Sequence, residues 1–254
     1  MQTFFPTWSL TPPSTAGPTT AHKVGGLPLG FPPHLWPTCR ECGQPQSFLG
    51  QFAAHPALAR LPAGHTLYLF KCDSDNVCFF WEPEHGANAC FLLPHSELTA
   101  APTPAPPGNT GVLLELWATA WRAQDDGVPA ELEPQFYDER FFDLPEEMAY
   151  PLGIDGEVFT KAAGLPYWAL RGGMPADFAP GSRVLLQLDY RLQVADGAAA
   201  LAAGVAAASD YLTGYAEVDD DMVGIANFLL DGVGYVVDTT PSAPAPTFRL
   251  FLTR

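Results

Sequence analysis

Lys23-Val-Gly-Gly-Leu-Pro28 recurs as Lys161-Ala-Ala-Gly-Leu-Pro166, and a little way beyond each copy an apolar stretch carries one glutamine: Phe48-Leu-Gly-Gln51-Phe52 in the first, Leu185-Leu-Gln187-Leu-Asp189 in the second. A hairpin candidate follows each copy. Gly-Leu-Pro and an apolar strand with one glutamine are short patterns that chance can also supply, but one duplication accounts for both pairs at nearly the same spacing. The sequence is therefore read as α+β and β-rich, a tandem duplication of a sheet-containing unit with few helices. The division that follows is an N-terminal extension (1–22), a first repeat (23–98), a Pro-rich linker (99–110), a connecting strand and helices (111–160) and a second repeat (161–254).

The local signals agree with a sheet. Thr66-Leu-Tyr-Leu-Phe-Lys71 and Val77-Cys-Phe-Phe-Trp81 are short and aromatic-rich, and Asp73-Ser-Asp-Asn76 between them has turn chemistry, so a hairpin is expected. A second is expected from Gly224 to Val237 about Asp231-Gly232, since glycine tolerates the positive φ of a tight turn. Ser182–Tyr190 and Thr247–Leu252 also read as strands. Helices are expected at Pro129–Tyr137, Asp138–Met148 and the alanine-rich Ala198–Leu212. The prolines between Thr99 and Asn109 remove backbone donors and favour extended geometry, which reads as an exposed linker.

Composition narrows the function. The 254 residues are 47% apolar, enough for a real core, and no apolar run approaches the ~20 residues of a membrane helix. The net charge of −16, with a pI near 4.5, opposes direct binding to a phosphate backbone. Neither a nucleic acid nor a membrane is expected as a partner. Met1 to Thr20 has no Lys or Arg and is broken by four prolines, unlike a secretory signal, so a cytoplasmic address is expected. Nearly all the acidity lies beyond residue 100, whereas all five cysteines and all six histidines lie before residue 96.

Cys39-Arg-Glu-Cys42-Gly43 has zinc-knuckle spacing: two thiolates from one tight turn, with a glycine that lets the backbone fold round them. Cys72 and Cys78 supply a second pair, and four thiolates close a tetrahedral shell. The expected cofactor is one structural zinc on Cys39, Cys42, Cys72 and Cys78. Buried free thiols are the competing reading. A thioredoxin-like redox pair is disfavoured by Pro37 and Gly43-Gln-Pro45, which mark a turn where that chemistry needs a helix start. Disulfides are disfavoured by the odd count. Cys90 reads as a core thiol, and His85 could replace Cys78.

Other groups carry less. Asp73-x-Asp75 and Asp219-Asp220-Asp221 lack the ligand spacing of a calcium loop and read first as solvated turns. Glu146-Glu147 reads as a charged helix face. No nucleophile elbow, phosphate loop or His-Glu-x-x-His motif nominates a catalytic group. Trp36, Trp81, Trp117, Trp121 and Trp168 are core or groove aromatics. Gln51 and Gln187 interrupt apolar strands, so each should satisfy a buried backbone group or face a shared groove.

In order, Lys23-Val-Gly-Gly-Leu-Pro, Cys39-x-x-Cys-Gly, Ser47-Phe-Leu-Gly-Gln51 and Leu67-Tyr-Leu-Phe-Lys-Cys72 resemble the superfamily that joins bacterial YwqG-like proteins and eukaryotic programmed cell death protein 2. In the second half Gly164-Leu-Pro-Tyr-Trp168, Leu185-Leu-Gln-Leu-Asp189 and Gly224-x-x-x-Phe228 are similar to the bacterial branch, but no cysteine lies between Pro166 and Val184. Any zinc that the resemblance implies therefore belongs to the first half. The resemblance implies a duplicated, protein-handling fold; the eukaryotic members are implicated in escorting a ribosomal protein. The expected function is a non-enzymatic, chaperone-like module that binds a protein or basic peptide segment, with Trp36, Gln51, Trp168, Gln187, Asp219, Asp220 and Asp221 as candidate binding residues. An immunity or antitoxin-type protein with one cognate partner is the alternative, and a hydrolase a third.

Overall fold

A computed structural model describes residues 1–73, 78–83, 85–108, 111–145, 160–168, 178–208, 218–225, 232–240, 243 and 245–253. Their strands in chain order are β1 (Gln2–Ser9), β2 (His22–Val24), β3 (Ser47–Ala53), β4 (His65–Lys71), β5 (Asn88–Pro94), β6 (Leu116–Asp125), β7 (Lys161–Ala163), β8 (Arg183–Asp189), β9 (Arg191–Gln193), β10 (Val218–Asp219), β11 (Met222–Gly224), β12 (Val233–Asp238) and β13 (Phe248–Thr253). One α-helix, α1 (Ala198–Ala208), lies between β9 and β10. No described helix is long and apolar enough to cross a membrane.

Ten strands form one antiparallel sheet in the order β13-β12-β8-β7-β1-β6-β2-β3-β4-β5, and β10-β11-β9 form a small second sheet. The large sheet curls until its edges meet: β5 lies against β13, and Leu252 N–H donates to Trp81 O at 3.1 Å. The result is a nearly closed, barrel-like sheet, which leaves little edge for other chains to pair with.

Along β3, β4, β8 and β12 both faces of this sheet are covered, which explains why those strands read as continuous apolar runs, whereas β6 is exposed over most of its length beyond Ala118. Successive strand residues point to opposite faces. On β4, Leu67 and Leu69 enter the central core with Leu186, Leu188, Val236 and Leu250, whereas Tyr68 and Phe70 join an outer cluster with Phe31 and Phe48. On the other arm, Tyr235 and Val237 of β12 build an outer cluster with Phe136, Trp168 and Phe251.

Several expectations need correction. The partner of β4 is β5, with Lys71 opposite Asn88 and His65 opposite Pro94, and not Val77–Trp81. Residues 78–83 form turns, while Ser74–Val77 lie outside the described residues. Residues 1–22 are no mere extension: β1 sits in the middle of the sheet between β7 and β6, and its Pro6, opposite Trp121, breaks the signal that would mark a central strand. The segment read as a linker is strapped down instead of hanging free. Thr99 N–H bonds to Gly30 O (2.8 Å), Thr103 N–H to Pro28 O (2.9 Å), and Thr103 is buried.

Of the second expected hairpin, most of the first strand and part of the turn lie outside the described residues, which omit 226–231; its second strand, β12, pairs with β8 and β13. Ala130–Tyr137 and Glu139–Asp143 are 3-10 turns, not α-helix, and Pro134 inside the first cannot donate to an α ladder. Glu146-Glu147 and the end of the expected 198–212 helix lie outside the described residues.

Two sets of polar residues line up across the strands on either side of the β1–β6 pair. Lys23, Gln51 and Tyr68 are mutually in register on β2, β3 and β4; Lys161, Gln187 and Tyr235 are so on β7, β8 and β12. Lys23 Nζ donates to Leu27 O, and Lys161 Nζ to Leu165 O. The glutamine Oε1 accepts from Leu29 N–H at 2.7 Å and from Tyr167 N–H at 2.9 Å, and the tyrosine hydroxyls donate to Leu29 O and Tyr167 O at 2.7 and 2.6 Å.

Candidate metal centre

The knuckle is shaped by its backbone. Cys39 N–H donates to Gln44 O at 2.8 Å and Gly43 N–H returns to Cys39 O at 3.0 Å, closing a tight loop round two sulfurs. Gly43 takes φ +72°, a left-handed conformation in which a side chain would be strained. Cys72 leaves the end of β4 and its N–H is fixed to Ala87 O at 2.6 Å. Cys78 comes from the following turn, where Phe79 N–H donates to both oxygens of Glu41 at 3.0 Å and Asn88 Nδ2 donates to Phe80 O at 2.7 Å.

These elements bring the four sulfurs within 4.8 Å of one another, with Cys42 Sγ 3.6 Å from Cys72 Sγ. A tetrahedral ion with Zn–S bonds of ~2.3 Å would hold its sulfurs about 3.8 Å apart. The four cysteines lie close enough to bind one metal ion, and the all-thiolate donor set suits zinc. Cys39, Cys72 and Cys78 are buried and Cys42 is half-buried. Burial pushes the Cys39 and Cys78 thiols up, because a desolvated thiolate is costly without a cation beside it. A divalent ion would supply that charge. Nearby, Lys71 Nζ donates to Cys72 O at 3.1 Å and to Asp73 at 2.5 Å, and lies 4.1 Å from the centre of the Phe80 ring.

His85 does not take the place of Cys78: it is exposed, with Nδ1 3.8 Å from Glu41. Cys90 lies on β5 opposite Leu69, outside the cluster.

The other candidates do not form one site: Trp36 and Trp168 belong to different outer clusters, Gln187 lies near Trp168 through Tyr167 and Tyr235, and the three aspartates share the β10–β11 turn. Trp36 is half-buried against Phe31 and Phe70, its indole N–H bonded to Gln46 O at 2.9 Å. Trp168 is buried in the opposite outer cluster against Tyr235, with its N–H on Phe136 O at 2.6 Å. Gln51 and Gln187 are wholly buried and serve backbone N–H groups. Asp219 and Asp220 are exposed on the β10–β11 turn, Asp220 at φ +50°, and half-buried Asp221 accepts from Gln193 Nε2 at 3.1 Å.

Lys23 and Lys161, which head the two copies of the repeated motif, had no role in the sequence. Both are buried, and desolvation lowers both ammonium groups, Lys161 to about 8. Lys23 is compensated by an ion pair with Glu115 and by the Trp117 ring face at 4.9 Å. The signal was their position at the head of the repeated motif. Compared with known proteins, the chain matches no family model and no curated sequence.

Proposed function

We propose that the chain is a tandem duplicate of one sheet unit, related to the YwqG-like and programmed cell death protein 2 superfamily, that binds a basic protein or peptide segment and carries one structural zinc. Duplication is supported by the matched lysine, glutamine and tyrosine bonds of the two arms. Reading outward from the central pair, β7-β8-β12-β13 corresponds to β2-β3-β4-β5. On this reading β1 and β6 are also equivalent, and each unit lends its first strand to the other: β1 pairs with β7, and β6 with β2.

The observation that carries the binding reading is the placement of acidity. Asp125, Glu131, Asp143, Asp219 and Asp220 are all exposed, in a half of the chain that holds nearly all of the net charge. Such a surface favours capture of a basic segment, and it also favours solubility. Salt separates the two, because exposed charges are screened beyond ~8–10 Å at physiological ionic strength. Affinity for basic peptides should fall steeply from low to moderate salt, and Asp219→Lys with Asp221→Lys should weaken it; Asp220 is left in place because its positive φ suits Asp. Affinity indifferent to both would leave solubility alone. Affinity capture from the host followed by mass spectrometry then tells many basic clients from one cognate partner.

A further inference from the structure

We propose that the four-cysteine centre is a redox latch: oxidation joins Cys42 to Cys72, expels the metal and loosens the seam where β5 meets β13. The proposal rests on the metal-binding reading of the four cysteines. Cys42 is the half-buried member of a cluster whose other three thiols are buried, so an oxidant arriving from solvent meets it first. The Cys72 sulfur is 3.6 Å away, within reach of a disulfide after modest side-chain rotation.

With hydrogen peroxide as oxidant, the Cys42 thiolate attacks one oxygen. The S–O bond forms, the O–O bond breaks and hydroxide leaves, giving a sulfenic acid. The Cys72 thiolate attacks that sulfur, forming the S–S bond and expelling a second hydroxide. Two thiolates lose two electrons and the peroxide gains them. An ion left with two of its four thiolates is no longer held in a closed shell.

The consequence reaches the sheet through the Cys78 turn. Cys78 is followed directly by Phe79, Phe80 and Trp81. Phe80 is packed in the central core, and Trp81 O accepts the Leu252 N–H of β13. The metal fixes the start of this turn and the seam bond lies three residues on. Releasing Cys78 frees the peptide that holds β13 against the first arm.

The test uses the full chain purified under reducing conditions without chelator. Reduced protein should hold about one zinc per chain, as one tetrahedral thiolate shell requires. Hydrogen peroxide should release it to a colorimetric chelator. Peptide mapping after cleavage at Arg40 and Asp73, which separates Cys42 from Cys39 and Cys72 from Cys78, should find the Cys42–Cys72 link. Exchange of the Leu252 amide should quicken by roughly tenfold or more, as local opening requires, and reverse with reductant and zinc. Cys90→Ser should behave like the unaltered chain. Reduced protein without metal overturns the metal reading itself. Metal held through peroxide treatment, a different disulfide, or an unchanged Leu252 amide overturns the latch while leaving the metal centre standing.

Discussion

Arg60, on the turn after β3, donates through Nε to the carboxylate of Asp238 at the end of β12, 2.7 Å away. The carboxylate is wholly buried, whereas the guanidinium is half-exposed, so the two partners are not equivalent. Asp238 also accepts from Thr240 N–H at 3.0 Å. This pair ties the first arm of the sheet to the second.

Removing Arg60 strands a buried negative charge; removing the charge of Asp238 leaves a guanidinium that water can reach. Arg60→Ala should therefore cost about 3 kcal/mol, as loss of one partner of a buried pair does. Asp238→Asn, which keeps an acceptor for Thr240, should cost about 1–2 kcal/mol. Equilibrium urea unfolding of the two variants decides the order, and equal or reversed costs would contradict the asymmetry.

Gln51 and Gln187 each serve a backbone N–H that has no water to turn to. Replacing either by Leu keeps the apolar bulk and leaves the amide of Leu29 or Tyr167 unsatisfied, a loss of roughly 1–3 kcal/mol. If the two arms are equivalent, the two losses should agree within about 1 kcal/mol, as matched environments require. Denaturation midpoints of Gln51→Leu and Gln187→Leu measure this directly. A large loss at one site and none at the other would count against equivalence.

What the sequence revealed depended on how local each signal was. The knuckle is four residues and a glycine, and its geometry is decided within them, so Cys39 and Cys42 were legible. Cys72 and Cys78 were read as the two ends of a hairpin, and although β4 does run straight into Cys72, Cys78 reaches the cluster from a turn and not from a paired strand. The strands carrying Gln51 and Gln187 were legible from apolar runs. The partner of β4 was not, because the turn that positions Cys78 is itself aromatic and imitates a strand. Nor was β1: its pairing with β6 spans the length of the first arm, and Pro6 hides it. Lys23 headed the repeated motif without a role, because its partner Glu115 lies far along the chain.

The metal prediction separates structure from turnover. Cys39→Ser removes one of four donors and opens the shell to water. It should bring zinc content from about one per chain to well below one and lower the thermal midpoint. Metal analysis with a thermal melt checks it. A variant that keeps its metal and melts with the unaltered chain would show that Cys39 is only a core thiol.

His22 makes stability depend on pH. Burial, with repulsion from His55, lowers its folded value to about 4. The two rings stand 5.3 Å apart at their centres, and Trp121 packs on both at 5.6 and 5.7 Å, leaving little room to hydrate an imidazolium. His55 is itself lowered by burial while its Nδ1 accepts from Ala57 N–H. The unfolded chain takes up its proton below about 6.5, whereas the folded one resists until about 4, so the unfolded state binds more protons between these values. Stability is thus full above pH 6.5 and declines as the pH falls to about 4, by up to about 3 kcal/mol from His22 alone. His22→Phe keeps a ring against Phe52 and cannot take a proton. Urea unfolding from pH 7 to 4.5 should give a steeper loss for the unaltered chain than for His22→Phe. Parallel curves would show that the loss belongs to carboxylates elsewhere and not to this pair of rings.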